Sequence, residues 1–442
     1  MVSISSTSPP LASSALHAAN YSPPLPLAAV PSETDAGVCG HPQGKRSRIV
    51  LYSHDTMGLG HKRRNLLIAQ ALGSSDMPAD ILMISGMRDA SDVPTPAGVD
   101  CLTLPALCKR EDGQYQSRRL GLEVEEIIGL RSQLIRTAVK SFQPDVLIVD
   151  NVPRGAMREL DPTLEYMRSQ PHSRCVLGLR DVLDTPEAVR RDWRRADNCA
   201  VLRHYYDAIW IYGDPNLYDL RQEYGLPTDI AAKMQPLGYL DQRSRLHYIR
   251  PSVRANLDAL NLPQDNLVVC SVGGGQDGAA LAQAFAQATF PEGMTGVLVT
   301  GPFMPPEVQQ TLFDQVSQNP QLRIVDYLEE PTLLLAQASR AIAMGGYNTT
   351  CEILSFQKPA LLVPRIAPRQ EQWIRAERLH QQGLVDVLHP DNLSPEALTK
   401  WLHQPVAPNQ VRPSINLNGL DNLLKAMQQM VISQPTSTPK AS

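Results

Sequence analysis

The chain has 442 residues, 43% of them hydrophobic and 19% charged, with a formal net charge of −4. That is enough length for two α/β domains plus tails, and the mild negative balance argues against a broad basic face for nucleic acid. Seven cysteines, at 39, 101, 108, 175, 199, 270 and 351, form no CxxC pair, which argues against a zinc site or disulfide framework and for free thiols in a reducing compartment.

Residues 1–46 are rich in Ser, Pro and Ala (SSTSPPLASS, YSPPLPLAAVP) and lack apolar periodicity. Such a lead cannot bury enough surface to offset its ordering entropy, so it is expected to be disordered. It has no charged n-region followed by an apolar h-region, and no run nears the roughly 18 apolar residues of a spanning helix. The expectation is a cytoplasmic protein, with peripheral contact at the inner membrane face left open. The stretch GHPQGKR, Gly40–Arg46, is one residue short of a Walker A loop and ends in Arg rather than Ser or Thr; it is set aside.

From residue 47 short β-rich runs alternate with helical stretches: RIVLYS (48–53), DILMIS (80–85), DVLIVD (145–150), CVLGL (175–179) and AIWIYG (208–213). A second series follows with NLVVCSV (266–272), TGVLVT (295–300), LRIVDY (322–327), RAIAMG (340–345) and ALLVP (360–364). This alternation is the sequence form of a parallel sheet wound with helices. It predicts two Rossmann-like domains, 47–238 and 262–404, with a polar, Pro-punctuated linker at 239–261 and an interdomain cleft at the strand ends. In the 405–442 segment an amphipathic run, Leu417–Met430, is expected to form a helix before a flexible tail.

Three glycine turns carry the candidate chemistry. RIVLYS runs into HDTMGLGH, where Gly58 and Gly60 permit a sharp turn and leave helix N–H groups open to a ligand. His61 sits in the first helical turn, where the positive helix end favours the neutral imidazole of a general base. Arg64, one turn on, is a candidate for an anionic or polyhydroxyl group. The bland alternative is a plain turn with an incidental His. Position 63 is Arg, so the third glycine of GxGxxG is missing and no dinucleotide fingerprint is present. His54 and Asp55 end the same strand, with capping or turn formation the alternative to catalysis for Asp55. Asp150 and Asp181 are strand-end acids on the same edge, each either a base, an acceptor anchor, or a helix cap or loop hydrogen-bond acceptor.

In the second turn, VVCSVGGGQDG, Gly273, Gly275 and Gly278 match GxGxxG, but the next strand ends in Thr300 and Gly301 rather than the acid a nicotinamide site wants. A loop offering N–H groups to phosphate fits better. The third segment reads AMGGYNTTCEILSFQKPALLVPRIAPRQEQ. A buried strand ends at Gly345–Gly346, and Asn348 or Thr349 is a candidate helix cap. Open N–H groups there suit a diphosphate, Glu352 one turn inside suits a ribose diol, and Glu371 and Gln372 suit sugar hydroxyls. Arg365 or Arg369 is a candidate for phosphate.

The pattern GG-x-x-T-x-x-E-x(5)-KP-x-x-x-x-P, then EQ, resembles the donor-binding block of glycosyltransferase family 28, which includes MurG-type enzymes and galactolipid synthases. The resemblance implies the GT-B fold and a nucleotide-sugar donor, expected to be a UDP-sugar. It implies donor ribose on Glu352, diphosphate on Gly346, Thr349 and Thr350, the transferred sugar on Glu371 and Gln372, a second phosphate loop at Gly274 and Gly275, and the base against Tyr327 and Leu328. Gly58, Gly60 and His61 resemble the family's acceptor-side turn. That turn, however, reads GLGHKRR, similar to a neighbouring group with sugar-nucleotide hydrolases. The chain has no Asp-x-Asp triplet, so neither metal nor cofactor is expected. The expected reaction is inverting transfer to a lipid, glycan or small-molecule acceptor, with His61, or else Asp150, as base. A nucleotide-sugar hydrolase, an epimerase and a non-catalytic nucleotide-sugar-binding protein are the alternatives.

Overall fold

In a computed structural model of the protein, the described residues are 46–55, 60–86, 94–109, 115–263, 265–405 and 414–432. The expected disordered lead lies outside them except for Arg46, whose Nε donates to Asp80 at 2.7 Å. Gly58 also lies outside, as does the tail beyond Ile432.

The N-terminal half is one parallel sheet. Its strands are β1 (Ser47–Ser53), β2 (Ala79–Ser85) and β3 (Val99–Thr103); a separate antiparallel hairpin, β4 (Leu107–Lys109) and β5 (Tyr115–Ser117), follows; then come β6 (Val146–Asp150), β7 (Arg174–Arg180), β8 (Ala208–Tyr212) and β9 (Met234–Pro236). The order is β3-β2-β1-β6-β7-β8-β9, with β1 in register from Ser47 opposite Ala79 to Ser53 opposite Ser85. All five residues of β6 are buried, as a strand covered on both faces requires. The C-terminal half repeats the plan with β10 (Leu267–Ser271), β11 (Thr295–Val299), β12 (Leu322–Val325), β13 (Arg340–Ala343), β14 (Ala360–Leu362) and β15 (Asp386–Val387), ordered β12-β11-β10-β13-β14-β15. In each sheet the order reverses beside the first strand, at β1/β6 and at β10/β13, which is where open α/β sheets place ligands.

The sequence missed β3, the hairpin, β9 and β15. Each is an edge or isolated strand without a continuous apolar run; β3 has no fully buried residue and β9 is three residues long. The linker is not irregular throughout, since 3-10 turns cover Gln242–Tyr248 and a helix covers Pro251–Asp258. The tail helix is Gly419–Ile432. It returns to the N-terminal half, where Asn422 Nδ2 donates to Leu237 O at 2.7 Å and Leu423 and Met427 are fully buried. Among the described residues no helix is long and apolar enough to cross a membrane.

Candidate active site

The two halves meet along the carboxyl ends of their sheets, around a cavity of about 340 Å³. Gly60, His61, Arg63, Arg64 and Arg180 line it from the N-terminal side, and Gly274, Tyr327, Gly346, Thr349, Glu352 and Gln372 from the other.

The N-terminal wall begins where β1 ends. Asp55, held at φ 41°, turns its carboxylate onto the start of the Gly60–Gly73 helix and accepts from Lys62 N at 3.0 Å. It is a cap, which settles its alternatives. The helix thereby aims His61 at the end of β6, where Nδ1 lies 2.5 Å from Asp150 Oδ2. A carboxylate only accepts, so Nδ1 carries the proton, and in the neutral imidazole Nε2 is the acceptor. Arg64 Nη2 stands 3.0 Å from the same Nδ1; both are N–H donors, so that approach is a contact and the bond belongs to Asp150.

Arg64 does not fill the ligand-holding role expected of it. It is buried and chelates Asp150, with Nε to Oδ1 at 2.9 Å and Nη2 to Oδ2 at 2.7 Å, while its guanidinium lies 5.4 Å over the Tyr347 ring. Burial alone would raise the Asp150 pKa, but Arg64 and then His61 outweigh it and hold the carboxyl well below the usual carboxylate range. Asp150 is therefore a fixed anion that orients His61, not a helix cap. His54 sits behind, its ring 5.0 Å from that of His61; burial first, and His61 second, pull its pKa down to about 3, so it stays neutral.

Asp181 accepts a loop hydrogen bond from Val182 N at 2.7 Å, one of the roles expected of it. It forms a fully buried ion pair with Arg375 of the opposite half, Nη2 to Oδ1 at 2.6 Å and Nε to Oδ2 at 2.7 Å. Arg375 also donates to Gly345 O at 3.1 Å, so this pair anchors the third glycine turn to the N-terminal domain.

The C-terminal wall is built from backbone. The Tyr347–Ser355 helix starts with Gly346 as its cap residue and no side-chain cap, so its first N–H groups are left without side-chain partners at the cavity wall. Asn348, a proposed cap, donates instead to Gly60 O at 2.9 Å across the cleft. Thr349 lines the cavity, but Thr350 is fully buried in the helix and does not. Gly274 faces the cavity while Gly275 does not: at φ 93° its Cα packs on the Thr300 carbonyl, where a Cβ would collide. Tyr327 and Leu328 line the cavity together.

Glu352 is pre-oriented. Its Oε1 accepts from Thr332 Oγ1 at 2.7 Å and from Arg63 Nη2 at 2.9 Å, leaving Oε2 for a ligand. Arg63 also donates to Glu330 Oε1 at 2.7 Å. Burial would raise the Glu330 pKa, but Arg63 and Arg245 bring it down to about 2. Arg63 is the residue that breaks the first glycine motif, and sequence reading gave it no role. Gln372 lines the cavity, with Oε1 accepting from Arg365 N at 3.0 Å. Glu371 is buried just outside the lining, with Oε1 on Arg365 at 2.9 Å and Oε2 without a partner among the described residues. Arg365 is spent on Glu371 and Asp277 and Arg369 is exposed, so neither is placed as a phosphate ligand.

Two facing Rossmann-like sheets around a nucleotide-sized cavity define the GT-B architecture, and solved structures agree. A UDP-GlcNAc 2-epimerase from Methanocaldococcus jannaschii superposes with a TM-score of 0.56 at 14% identity, covering 87% of this chain and 100% of that one. MurG from Acinetobacter baumannii superposes with a TM-score of 0.50 at 12% identity, again covering 87% and 100%. Residues 268–421 match the model of the glycosyltransferase family 28 C-terminal domain. A UDP-N-acetylglucosamine–N-acetylmuramyl-(pentapeptide) pyrophosphoryl-undecaprenol N-acetylglucosamine transferase 2 of Bacillus cereus is 32% identical over 73 residues, 16% of this chain and 21% of that protein. The chain thus spans about a fifth of the length of that curated relative.

Proposed function

We propose that the protein transfers a sugar from a nucleoside-diphosphate sugar, a UDP-sugar by family likeness, to an acceptor hydroxyl. The observation that carries the reading is that one cavity joins the His61–Asp150 pair to the open Gly346 helix start and Glu352. Glu352 Oε2 accepts from the donor ribose. The diphosphate lies against Gly274, Gly346 and Thr349, where N–H groups and the helix dipole meet its charge. Gln372, with Glu371 beside it, meets the sugar. His61 Nε2 takes the acceptor proton, the acceptor oxygen forms its bond to the anomeric carbon, and the bond to the diphosphate breaks with its electron pair leaving on phosphate. Attack opposite the leaving group inverts the configuration.

In this reading backbone N–H groups carry the leaving-group charge, and turnover persists in EDTA. The six described cysteines are all free, which supports a cytoplasmic setting; a lipid acceptor would bring the protein to the inner membrane face. The test is nucleoside-diphosphate release from a panel of nucleotide sugars, with and without cell lipid extract. Release that depends on extract supports transfer, and release without it supports hydrolysis. Binding with no release under either condition contradicts both.

A further inference from the structure

The cavity holds a cation that the proposed reaction has not used. Arg180 ends β7 and lines the same cavity as His61. Among the described residues its buried Nε has no hydrogen-bond partner. Its neighbours are bound to one another rather than to it: Arg64 with Asp150, Arg375 with Asp181, and Arg365 with Glu371 and Asp277. Burial, and then repulsion from Arg64, press its pKa down to about 10 against the attraction of Glu371 and Asp150, so it stays charged at neutral pH with no carboxylate in direct contact among the described residues. A half-buried cation with no directly contacting carboxylate is costly to a fold, and such groups concentrate where a ligand completes them. Successive residues at a strand end point to opposite sides; Asp181 turns into the Arg375 pair, and Arg180 is left facing the cavity.

We infer that Arg180 binds an anionic substituent, phosphate or carboxylate, carried by the acceptor close to its reacting hydroxyl. This rests on the reading of the cavity as a transfer site. The acceptor is favoured over the donor by position. The donor diphosphate is assigned to the Gly274 loop and the Gly346 helix start in the C-terminal domain, whereas Arg180 stands on the N-terminal wall that carries His61 and Asp150. The acceptor class is therefore an anionic hydroxyl compound, and a neutral glycan lacks the group that would complete the site.

The test is titration calorimetry of UDP, and then of inorganic phosphate and of acetate into the UDP-saturated protein, for wild type, Arg180→Met and Arg180→Lys. Lost charge-assisted hydrogen bonds imply at least about a tenfold weaker anion affinity in Arg180→Met, partly restored in Arg180→Lys, with UDP affinity within about twofold. Whichever of phosphate and acetate shows the larger Arg180-dependent loss identifies the anion. The melting temperature of Arg180→Met should not fall, because no internal ion pair is broken. Anion affinities unchanged in Arg180→Met, a loss of UDP affinity instead, or a melting temperature lowered by many degrees would each overturn the inference. If wild type fails to bind UDP yet its anion binding still depends on Arg180, the donor reading fails and the anion site stands.

Discussion

The two walls of the cleft solve the same problem with different materials. The N-terminal wall is made of charged side chains: His61 on Asp150, Arg64 on Asp150, and the unpaired Arg180. The C-terminal wall is mostly backbone, with a helix start that has no side-chain cap, a glycine loop, and the single carboxylate Glu352 held by Thr332 and Arg63. The lesson is a division of labour. In the proposed reaction a diphosphate would be met by preorganised N–H groups that need no counter-ion, whereas moving a proton would need one imidazole held in one tautomer by a fixed anion.

The largest expected effect tests the charged wall. His61→Ala should lower turnover by about 10²–10⁴, the usual worth of a positioned base, measured as nucleoside-diphosphate release at saturating donor. A fall below tenfold would return the base to another group. Next comes the seam between the walls. Arg375→Met removes one partner of a fully buried ion pair and should destabilise the protein by about 3–5 kcal/mol in urea unfolding; a loss under about 1 kcal/mol would mean the seam does not hold the halves together. The smallest effect concerns His54. Its folded pKa of about 3 lies below the usual histidine value of 6.5, so the stability it contributes is complete above about pH 6.5 and drains away as pH falls toward 3. Wild type should lose up to about 1.4 kcal/mol per pH unit more than His54→Asn across pH 6 to 5. Parallel stability curves for the two proteins would show that His54 protonates freely in the fold.

The sequence made the backbone wall more legible than the charged one. Buried central strands are continuous apolar runs, and glycine turns announce where backbone approaches a ligand, so β1, β6, β10 and β13 and the Gly346 helix start could be read directly. Edge strands such as β9 carry no such signal. The roles of charged residues depend on partners far along the chain: Arg64 and Asp150 are 86 positions apart, Asp181 and Arg375 are 194 apart, and Arg63 and Glu352 are 289 apart. Hence Arg64 read as a ligand group when it is the Asp150 counter-ion, Asp181 read as a base, anchor, cap or loop acceptor without its seam to Arg375, and Arg63 and Arg180 carry no sequence signal. The one available hint was Arg63 itself, which stands where a nucleotide-binding turn would have glycine.

The division between the walls is tested most directly by a crossed measurement on His61→Ala and Glu352→Gln, with UDP affinity by calorimetry and turnover of the productive donor read on both. His61→Ala should lose turnover by at least a hundredfold and keep UDP affinity within about threefold. Glu352→Gln should weaken UDP about 10- to 100-fold, the range of a hydrogen bond to a charged group, while keeping most of its turnover at saturating donor. Two variants that lose affinity and turnover in parallel would contradict the account.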